Sequence, residues 1–560
     1  MLLGAVFERE LLVAPRARGM FVGRAVAAGT LLGIVATCWL VLTGTQAVTT
    51  VGDIARFGGT LMRILGPLAL VLAMLAAALT SVVAVGVEKD RRTLELLLVS
   101  RLDDAQLVLG KLAGSLLRVG LLLVAVVPIF ALAAAFGGVT GRQLVGMFVV
   151  TAAAATAAAS VANMVAFWRD TTFQSLAITA FTLVAWLAVG EGVATVWGSR
   201  VAAAVSPPRS LLAALAADAG RTTLPFVAVC AGVAALSTGW AVARARRWNT
   251  AVPIRIPSAA EDAVAAAGGT RPSRAVWRNP VLWREVRTRA HGRAMVVVRI
   301  AWLVLFAAAV AGVVAQAGAV RPDRFAVAVT VVPMVLASLL AVAALAVTSV
   351  TSERDRGTFD LLLVSDLEPG EFVWGKILGV LASACEVVLL PLALCVALVP
   401  LGVASTEHGT YLVLGLAVLT FFVAVLGVYS GLSHAVSRRA IAVALGIVAF
   451  LFIGVATAMR IMVSFSGSFE LQLAPFLAAL VGGAVGLYAA LSARNPSPAV
   501  GWTSALLPAL TFVAITSFLQ GSTLQVFLVV LAAYGFGTAA LLVPSIAAFD
   551  LLTGRTTTGE

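Results

Sequence analysis

Charged side chains are scarce in this sequence. Only 12% of the 560 residues are Asp, Glu, Lys or Arg, against about 25% in a typical soluble domain. Hydrophobic residues make up 61%, and the mean hydropathy is +1.04. The charge is missing from long runs such as 64–87, 119–141 and 327–350, each long enough to cross a bilayer as a helix. This pattern excludes a soluble protein and predicts residence in a membrane.

Cysteine and histidine are also rare, and their placement argues against a metal or redox site. The four cysteines fall inside apolar segments and form no C-x-x-C pair, and the three histidines lie far apart: Cys38, Cys230, Cys385, Cys395, His291, His408 and His434. No Ser/His, His/Glu or paired-Asp constellation stands out within the apolar runs. We therefore predict no metal site and no intramembrane enzyme.

A nucleotide-binding loop is missing as well. Gly110-Lys111 and Gly375-Lys376 could suggest a Walker loop, but each is followed by an aliphatic residue where Ser or Thr belongs. Both also stand where a membrane helix begins rather than after a strand. We predict that the chain is not an ATPase and binds no cofactor of its own.

The net charge of +13 does not indicate nucleic acid. Basic residues stand at the ends of apolar segments, where they set orientation and meet anionic lipid. No basic stretch is interleaved with aromatic residues as a stacking platform for bases. Membrane lipids are the expected contact, and a nucleic-acid partner is not.

The apolar runs predict an all-α, polytopic membrane protein with about 12–14 transmembrane helices, of which we favour 14. If the N-terminus lies inside and the spans alternate, most of the 39 Lys and Arg residues fall on the inner side, with large groups in 87–112 and 244–294. Both termini are then predicted to be cytoplasmic. The predicted spans are 25–46, 64–86, 113–137, 143–167, 173–198, 222–243, 296–318, 325–350, 377–404, 410–432, 440–463, 471–493, 503–519 and 524–549.

An internal repeat divides the chain. Residues 88–100 read EKDRRTLELLLVS and residues 353–365 read ERDRGTFDLLLVS, with nine of thirteen positions identical at an offset of 265. Gly-Lys follows at the same distance in both copies. Because the match includes charged and hydroxyl residues in register, it predicts two homologous halves. We assign 1–248 to the first half, 249–273 to a Pro/Ala/Gly-rich cytoplasmic linker, and 274–560 to the second half.

Both copies of the repeat follow the second span of their half. The segment with three consecutive leucines is too short to span, and it predicts a helix lying on the membrane surface. Ser100-x-x-Asp103 and Ser365-x-x-Glu368 resemble capping boxes for the helix that leads into the third span. The glycine of each Gly-Lys pair is expected to permit close helix packing, and its lysine to extend to the lipid head groups.

These segments resemble the first cytoplasmic loop of ABC-2-type permeases, the transmembrane subunits of many bacterial ABC exporters. The segments ahead of the first span of each half, Arg9-Glu10 and Arg284-Glu285, are similar to that family's membrane-surface elbow helix. The resemblance implies that 88–100 and 353–365 contain coupling helices that dock ATP-binding subunits on the cytoplasmic face. The coupling residues would be Glu88, Asp90, Arg91, Thr93, Ser100, Glu353, Asp355, Arg356, Thr358 and Ser365.

By the same resemblance, the two fused halves would form one complete pore in the cytoplasmic (inner) membrane, although the sequence alone does not decide between a pore of one chain and a pore of two. ATP-Mg on a partner subunit would drive export by alternating access. The sequence does not identify the transported substrate, although the apolar spans are compatible with transport of an amphiphile.

Two other functions remain open at this point. An ion-coupled secondary transporter needs ionisable groups within the membrane, and Glu386 is the best candidate, with Arg118 and Arg299 interpreted as anchors near their helix ends. A membrane scaffold that transports nothing is the other function. It would not require matched docking loops in both halves.

Overall fold

The computed structural model describes residues 4–13, 18–45, 50–90, 93–169, 172–216, 219–249, 277–287, 294–317, 324–355, 357–464 and 469–553. Within these ranges the chain is helical and contains no strand. This all-α architecture agrees with the rule that lipid-embedded backbone must satisfy its hydrogen bonds within one segment. Except for Asn249, the predicted linker lies outside the described residues, as do Arg91 and Arg356 of the repeat.

The first half contains a short helix ahead of the first span, a second short helix between the second and third spans, and two more before the last span. The helices are α1 (Gly4–Val13), α2 (Arg18–Thr45), α3 (Val51–Asp90), α4 (Thr93–Val99), α5 (Asp104–Ala135), α6 (Gly141–Trp168), α7 (Thr172–Trp197), α8 (Ser199–Val205), α9 (Pro207–Leu215) and α10 (Ala219–Trp248).

The second half repeats this order up to its fifth span. Its helices are α11 (Pro280–Arg287), α12 (Ala294–Ala317), α13 (Arg324–Asp355), α14 (Phe359–Val364), α15 (Pro369–Ser383), α16 (Cys385–Ala397), α17 (Thr406–Ser433), α18 (Ser437–Ala449), α19 (Val455–Ser464), α20 (Phe469–Leu491), α21 (Pro498–Leu519), α22 (Thr523–Ala547) and α23 (Phe549–Thr553). A single π-helical turn, Phe450–Gly454, joins α18 to α19.

Helices occupy all the predicted spans. Among the described residues, nine are long and apolar enough to cross a membrane, and the bent pair α15–α16 makes a tenth if it is one span. At the other four predicted positions, shorter apolar stretches lie within α2, α7, α12 and α20: Gly23–Ala36, Ile178–Leu187, Trp302–Ala317 and Ala479–Leu491. The chain is therefore a multi-pass membrane protein.

The offset of 265 holds well beyond the repeated motif. Helices α6 and α17 begin and end at equivalent positions. Helices α5 and α15 begin at equivalent positions, and so do α7 and α18. The packing is equivalent too, because α3 lies along α6 as α13 lies along α17. No residue has been gained or lost between the end of the second span and the start of the fifth, so the halves share one local framework.

The halves differ after the fifth span. The last long helix of each half packs along the fourth span, α10 on α6 and α22 on α17. Between the fifth span and that helix, the first half has only the short helices α8 and α9, whereas the second half has the long helices α20 and α21. When the predicted spans are counted in order, 503–519 and 524–549 exceed a six-span half. By packing, however, the additional pair is α20–α21, because α22 takes the place of α10.

A second difference is a sharp break in the third span of the second half. Helices α15 and α16 meet at Ala384 with a bend of 63°, whereas the equivalent α5 is continuous. The Ser383 hydroxyl donates to the carbonyl of Val380 at 3.0 Å, a side-chain bond that competes with helical geometry and bends helices.

The buried apolar side chains form two main clusters, one in each half. One cluster extends over residues 31–245 and the other over residues 281–552. The halves touch through α7, which packs on α12 and α13, and through α2, which contacts α20. Each half therefore has its own core, and they meet along a narrower set of helices.

Two exposed residues, on opposite sides of the membrane in the predicted orientation, can be used to test that orientation. Val51 begins α3 and is 83% exposed, while Val99 ends α4 and is 88% exposed. We expect a membrane-impermeant maleimide to label a Val51→Cys variant in intact cells and to label a Val99→Cys variant only after permeabilisation. The native cysteines supply the background, which wild-type protein measures. Labelling of both variants from outside would contradict the orientation.

Candidate functional site

The repeated segments form two short helices, α4 and α14, that carry exposed apolar side chains. Leu96 is 72% exposed and Val99 is 88% exposed, and their equivalents Leu361 and Val364 are 73% and 84% exposed. Each helix has one buried side chain that packs against the rest of the protein, Leu94 in the first half and Phe359 in the second. Apolar side chains that protrude at matched positions in two copies form a surface suited to contact with lipid or another protein.

In both halves, an equivalent hydroxyl contact connects the surface helix to the preceding span. The Thr93 hydroxyl donates to the carbonyl of Glu88 at 3.3 Å, and the Thr358 hydroxyl donates to the carbonyl of Glu353 at 3.1 Å. Both bonds go to a carbonyl near the C-terminal end of a long helix, where carbonyls lack intrahelical donors, and the Glu353 carbonyl also accepts from the Thr358 N–H at 3.0 Å. They fix the angle at which each surface helix leaves its span.

The two serines end the surface helices instead of starting the next ones. The Ser100 hydroxyl donates to the carbonyl three residues earlier at 2.6 Å, and Ser365 does the same at 2.5 Å. The following helices begin at Asp104 and Pro369, after three intervening residues, with Asp103 and Glu368 at their N-caps. The predicted capping boxes at Ser100 and Ser365 are therefore wrong, because the chain needs those three residues to turn towards the third span.

In the first half, two ion pairs lie beneath the surface helix. Lys111 pairs with Glu88, and Arg118 pairs with Glu10 of α1. Lys111 is 4% exposed, and both glutamates are 9% exposed. The lysine does not extend to the head groups as we expected from the sequence, and Arg118 is a partner of the elbow helix rather than a free anchor. A buried cation of this kind requires a carboxylate nearby.

In the second half, the same elements form one network. The Lys376 ammonium donates to Glu285 at 2.6 Å, to Glu353 at 2.6 Å and to the carbonyl of Ser349 at 2.8 Å. Arg284 also pairs with Glu353. Lys376 is completely buried and uses all three of its N–H donors. This residue thus joins α11, α13 and α15 at a single point, and it does not reach the head groups.

Close backbone approach makes these clusters possible. A Cβ atom on Gly379 would lie 2.7 Å from Cβ of Glu285, and one on Gly114, at the equivalent position, would lie 3.0 Å from Cγ of Glu10. A Cβ on Gly375 would lie 2.8 Å from Cβ of Val281. The elbow helices therefore lie directly on glycines of the third spans, and Gly110 is likewise buried in α5. Any larger side chain at these positions would push the carboxylates away.

Lys89 and Arg354 were missed as site residues, although they stand at equivalent positions in the repeat. The Lys89 ammonium donates to the carbonyls of Phe167 and Arg169, both at 2.8 Å. The Arg354 guanidinium donates to carbonyls at the equivalent end of α17, among them Gly431 at 2.9 Å. Each cation caps the C-terminal end of the fourth span, where the helix dipole favours positive charge. The sequence did contain a signal for them, because both copies of the repeat have a basic residue at this position.

The remaining predicted residues lie around these clusters. Arg9 is exposed on α1, and Asp90 is the last residue of α3. Asp355 accepts a hydrogen bond from the Ser437 hydroxyl at 2.5 Å, which connects the end of α13 to the start of α18. Of these three residues, Asp355 therefore adds a polar contact between two helices of the second half.

Glu386 lies apart from the repeated clusters. It occupies the first turn of α16, just beyond the break, and pairs with Arg299 of α12 at 3.0 Å. An acidic side chain in the first turn is favoured by the helix dipole. The pair neutralises both charges, so Arg299 is a partner of Glu386 rather than only an anchor.

The described residues contain no group of three or more His, Cys, Asp or Glu side chains that could hold a metal ion. The site consists of paired charges and surface helices.

The two lysines provide a direct test of the clusters. We expect Lys376→Met to lower the free energy of unfolding by about 3–5 kcal/mol, the usual cost of removing one partner of a buried ion pair, because Glu285 and Glu353 both lose it. Lys111→Met should cost a similar amount, because Glu88 loses its ion-pair partner, whereas Glu285 and Glu353 keep Arg284 nearby after Lys376→Met. Thermal unfolding in detergent measures both. A Lys376→Met protein that also carries Glu285→Gln and Glu353→Gln should regain part of the loss. Equal melting temperatures for all variants would contradict the assignment.

Comparisons with known proteins do not assign the chain to a family. No family model matches the chain, and no curated protein matches it. The likeness to permeases therefore rests on the repeated segments and on the elbow segments, which pack against the third spans, and any function has to be argued from the site itself.

Proposed function

We propose that the chain is the transmembrane permease subunit of an ATP-binding cassette exporter, with the ATPase on a separate chain. The observation that carries this proposal is the pair of surface helices, α4 and α14, which present matched exposed apolar side chains at one end of the two halves. The resemblance of their sequences to coupling helices gives this surface a role.

The contacts beneath the helices support a mechanical connection. In each half, the surface helix continues from the second span, and a buried Lys–Glu pair joins that span to the third span. The elbow helix is tied to the third span by Glu10, through Arg118, in the first half and by Glu285, through Lys376, in the second half. Movement of a docked subunit would then reach three helices of each half together. Buried ion pairs are suited to this because breaking them is costly.

An exporter with two ATP-binding sites requires two matched docking helices, and α4 and α14 would be that pair. Closure of the ATPase subunits on ATP would move α4 and α14 towards each other and reorient the spans of both halves, so that the pathway opens on the opposite side. The expected cargo is an amphiphile, in keeping with helices lined by Ala, Val, Leu and Gly, and the expected location is the cytoplasmic membrane.

The first experiment is purification of the tagged protein in mild detergent from its native membrane, followed by an assay for co-purifying ATPase activity. A Leu96→Glu, Leu361→Glu variant should lose that activity by at least tenfold, because two charges replace the apolar docking surface. These positions are exposed, so the fold should persist. Val51→Glu, exposed at the opposite end of the bundle, is the matched control and should retain the activity.

Absence of ATPase from the wild-type sample, with the protein intact and monodisperse, would count against the proposal and favour a scaffold or an ion-coupled transporter. Equal ATPase in wild type and in the surface-helix variant would place the docking surface elsewhere.

Ion-coupled transport is the second candidate, and one observation favours it. The break at Ala384 places Glu386 and Arg299 together beside an interrupted helix, and interrupted helices with ionisable residues occur at the binding sites of secondary transporters. If this pair carries protons, proteoliposomes containing the protein should dissipate a proton gradient, and Glu386→Gln should abolish the flux. Under the exporter proposal, neither protein conducts protons and Glu386→Gln retains the co-purifying ATPase.

A further inference from the structure

The surface helices α4 and α14 are alike in their apolar side chains and different in the charges beside them. The exposed leucine and valine of each helix match in residue type and nearly in exposed fraction. Two residues after the valine of α4 stands Arg101, and Asp366 occupies the equivalent position after α14. Both side chains are exposed. The sign of the charge beside the apolar side chains is therefore reversed between the halves.

Two further differences within the repeat have the same direction. Arg92 has no charged counterpart in the second half, and Gln106 is replaced by Glu371. The other charged positions between Glu88 and Gln106 keep their sign in the second half, apart from Asp104. Each of these changes makes the second half more acidic than the first.

Asp104 is the exception, and its charge disappears from the second half together with that of its partner. Arg246, at the end of α10, pairs with Asp104 at 2.5 Å. In the second half Pro369 replaces the aspartate, and the last long helix brings Ile546 to this place, since a Cβ on Gly370 would lie 4.0 Å from its Cγ2 atom. The loss of a complete pair leaves the difference in charge between the halves unchanged.

The ends of the last long helices add to that difference. Arg247 is exposed at the end of α10, next to the arginine that pairs with α5. In the second half, α23 follows the last long helix and exposes Asp550. Three aromatic rings hold α23 beside α14: Phe549 lies 5.6 Å from Phe372, which lies 5.9 Å from Phe359, measured between ring centroids.

Acidic side chains consequently predominate around the C-terminal end of α14. Asp366, Glu368 and Asp550 are exposed there, and Glu371 is half-buried. Arg278 is an exposed cation in the same place, because the residue after it donates to the carbonyl of Glu371 at 2.8 Å. Around the C-terminal end of α4, basic residues outnumber acidic ones: Arg101, Arg246 and Arg247 accompany Asp103 and Asp104.

The difference belongs to the C-terminal side of the surface helices. Arg439 is exposed at the start of α18, two residues after Ser437, whose hydroxyl donates to Asp355 at 2.5 Å. Asp355 comes before α14, whereas Asp366 and Glu368 come after it. This arginine therefore lies towards the N-terminal side of α14 and does not neutralise the acidic group.

Charges at the edge of an interface determine which partner binds more than how tightly it binds. A few apolar side chains at its centre supply most of the affinity. Because α4 and α14 share their apolar side chains, they suit the same class of partner. Because the charges at their C-terminal ends are of opposite balance, a single partner surface would meet like charge in one of the two halves.

We propose that α4 and α14 dock two different ATP-binding subunits. The subunit that receives α4 presents acidic side chains towards Arg101, and the subunit that receives α14 presents basic side chains towards Asp366 and Glu368. This inference rests on the proposed exporter function, since it names the partners of the same surface helices. The charges then ensure that each subunit docks on its own half.

Reversal of one charge in one half at a time tests this assignment. The tagged full-length protein is purified in mild detergent from its native membrane, and mass spectrometry identifies and quantifies the ATPase polypeptides that accompany it. We expect two different ATPase polypeptides in equal amounts with wild type. Arg101→Asp should lower one of them about tenfold and retain the other, and Asp366→Arg should do the reverse, because each change places like charges together.

Arg142→Asp, which reverses an exposed arginine at the opposite end of the bundle, is the matched control and should retain both polypeptides. All three side chains are exposed, so the melting temperatures should stay that of wild type. A single kind of ATPase polypeptide with wild type, or the same change in both polypeptides with either reversal, overturns the inference and leaves the exporter function standing. Absence of any ATPase from wild type removes the exporter function and this inference with it.

Discussion

Buried charge holds this protein's framework together at one end. Each half encloses an ammonium group and at least one carboxylate where the second span, the third span and the elbow helix converge. A charge taken out of water is tolerated only with a well-placed partner, so these helices cannot separate without exposing an uncompensated ion. The spacing between them, the glycines beneath the elbows and the exit angle of the surface helices all depend on that requirement.

The halves meet this requirement in different ways. The first half divides its charges into two separate pairs, because Arg118 is present to receive Glu10. The second half has Ser383 at that position, so Glu285 turns to Lys376, and one network replaces two pairs. The break in the third span begins at the same serine. A single substitution between the copies thus accompanies a difference in both electrostatics and helix continuity.

Much of the fold could be predicted from the sequence, since long apolar runs in a lipid-embedded chain must be helical. The repeat also located the site, because charged residues in register at an offset of 265 mark equivalent surroundings. The partners of those charges could not be predicted. Whether Lys111 and Lys376 reach the head groups or a buried carboxylate depends on the elbow helix, which is distant in sequence. The position of the inserted pair α20–α21 likewise depended on packing against α17, which hydropathy does not report.

Lysine has an unusual distribution in this protein. The chain has three lysines, Lys89, Lys111 and Lys376, and all three ammonium groups are engaged inside the bundle, by helix-end carbonyls or by glutamates. The outward-facing cations are therefore arginines. Amine-reactive cross-linkers and lysine-specific proteases consequently meet no freely exposed lysine side chain on the folded protein, so surface mapping has to use carboxylate-directed reagents or introduced thiols. Labelling of Lys111 or Lys376, which are buried, would itself report that the helices had come apart.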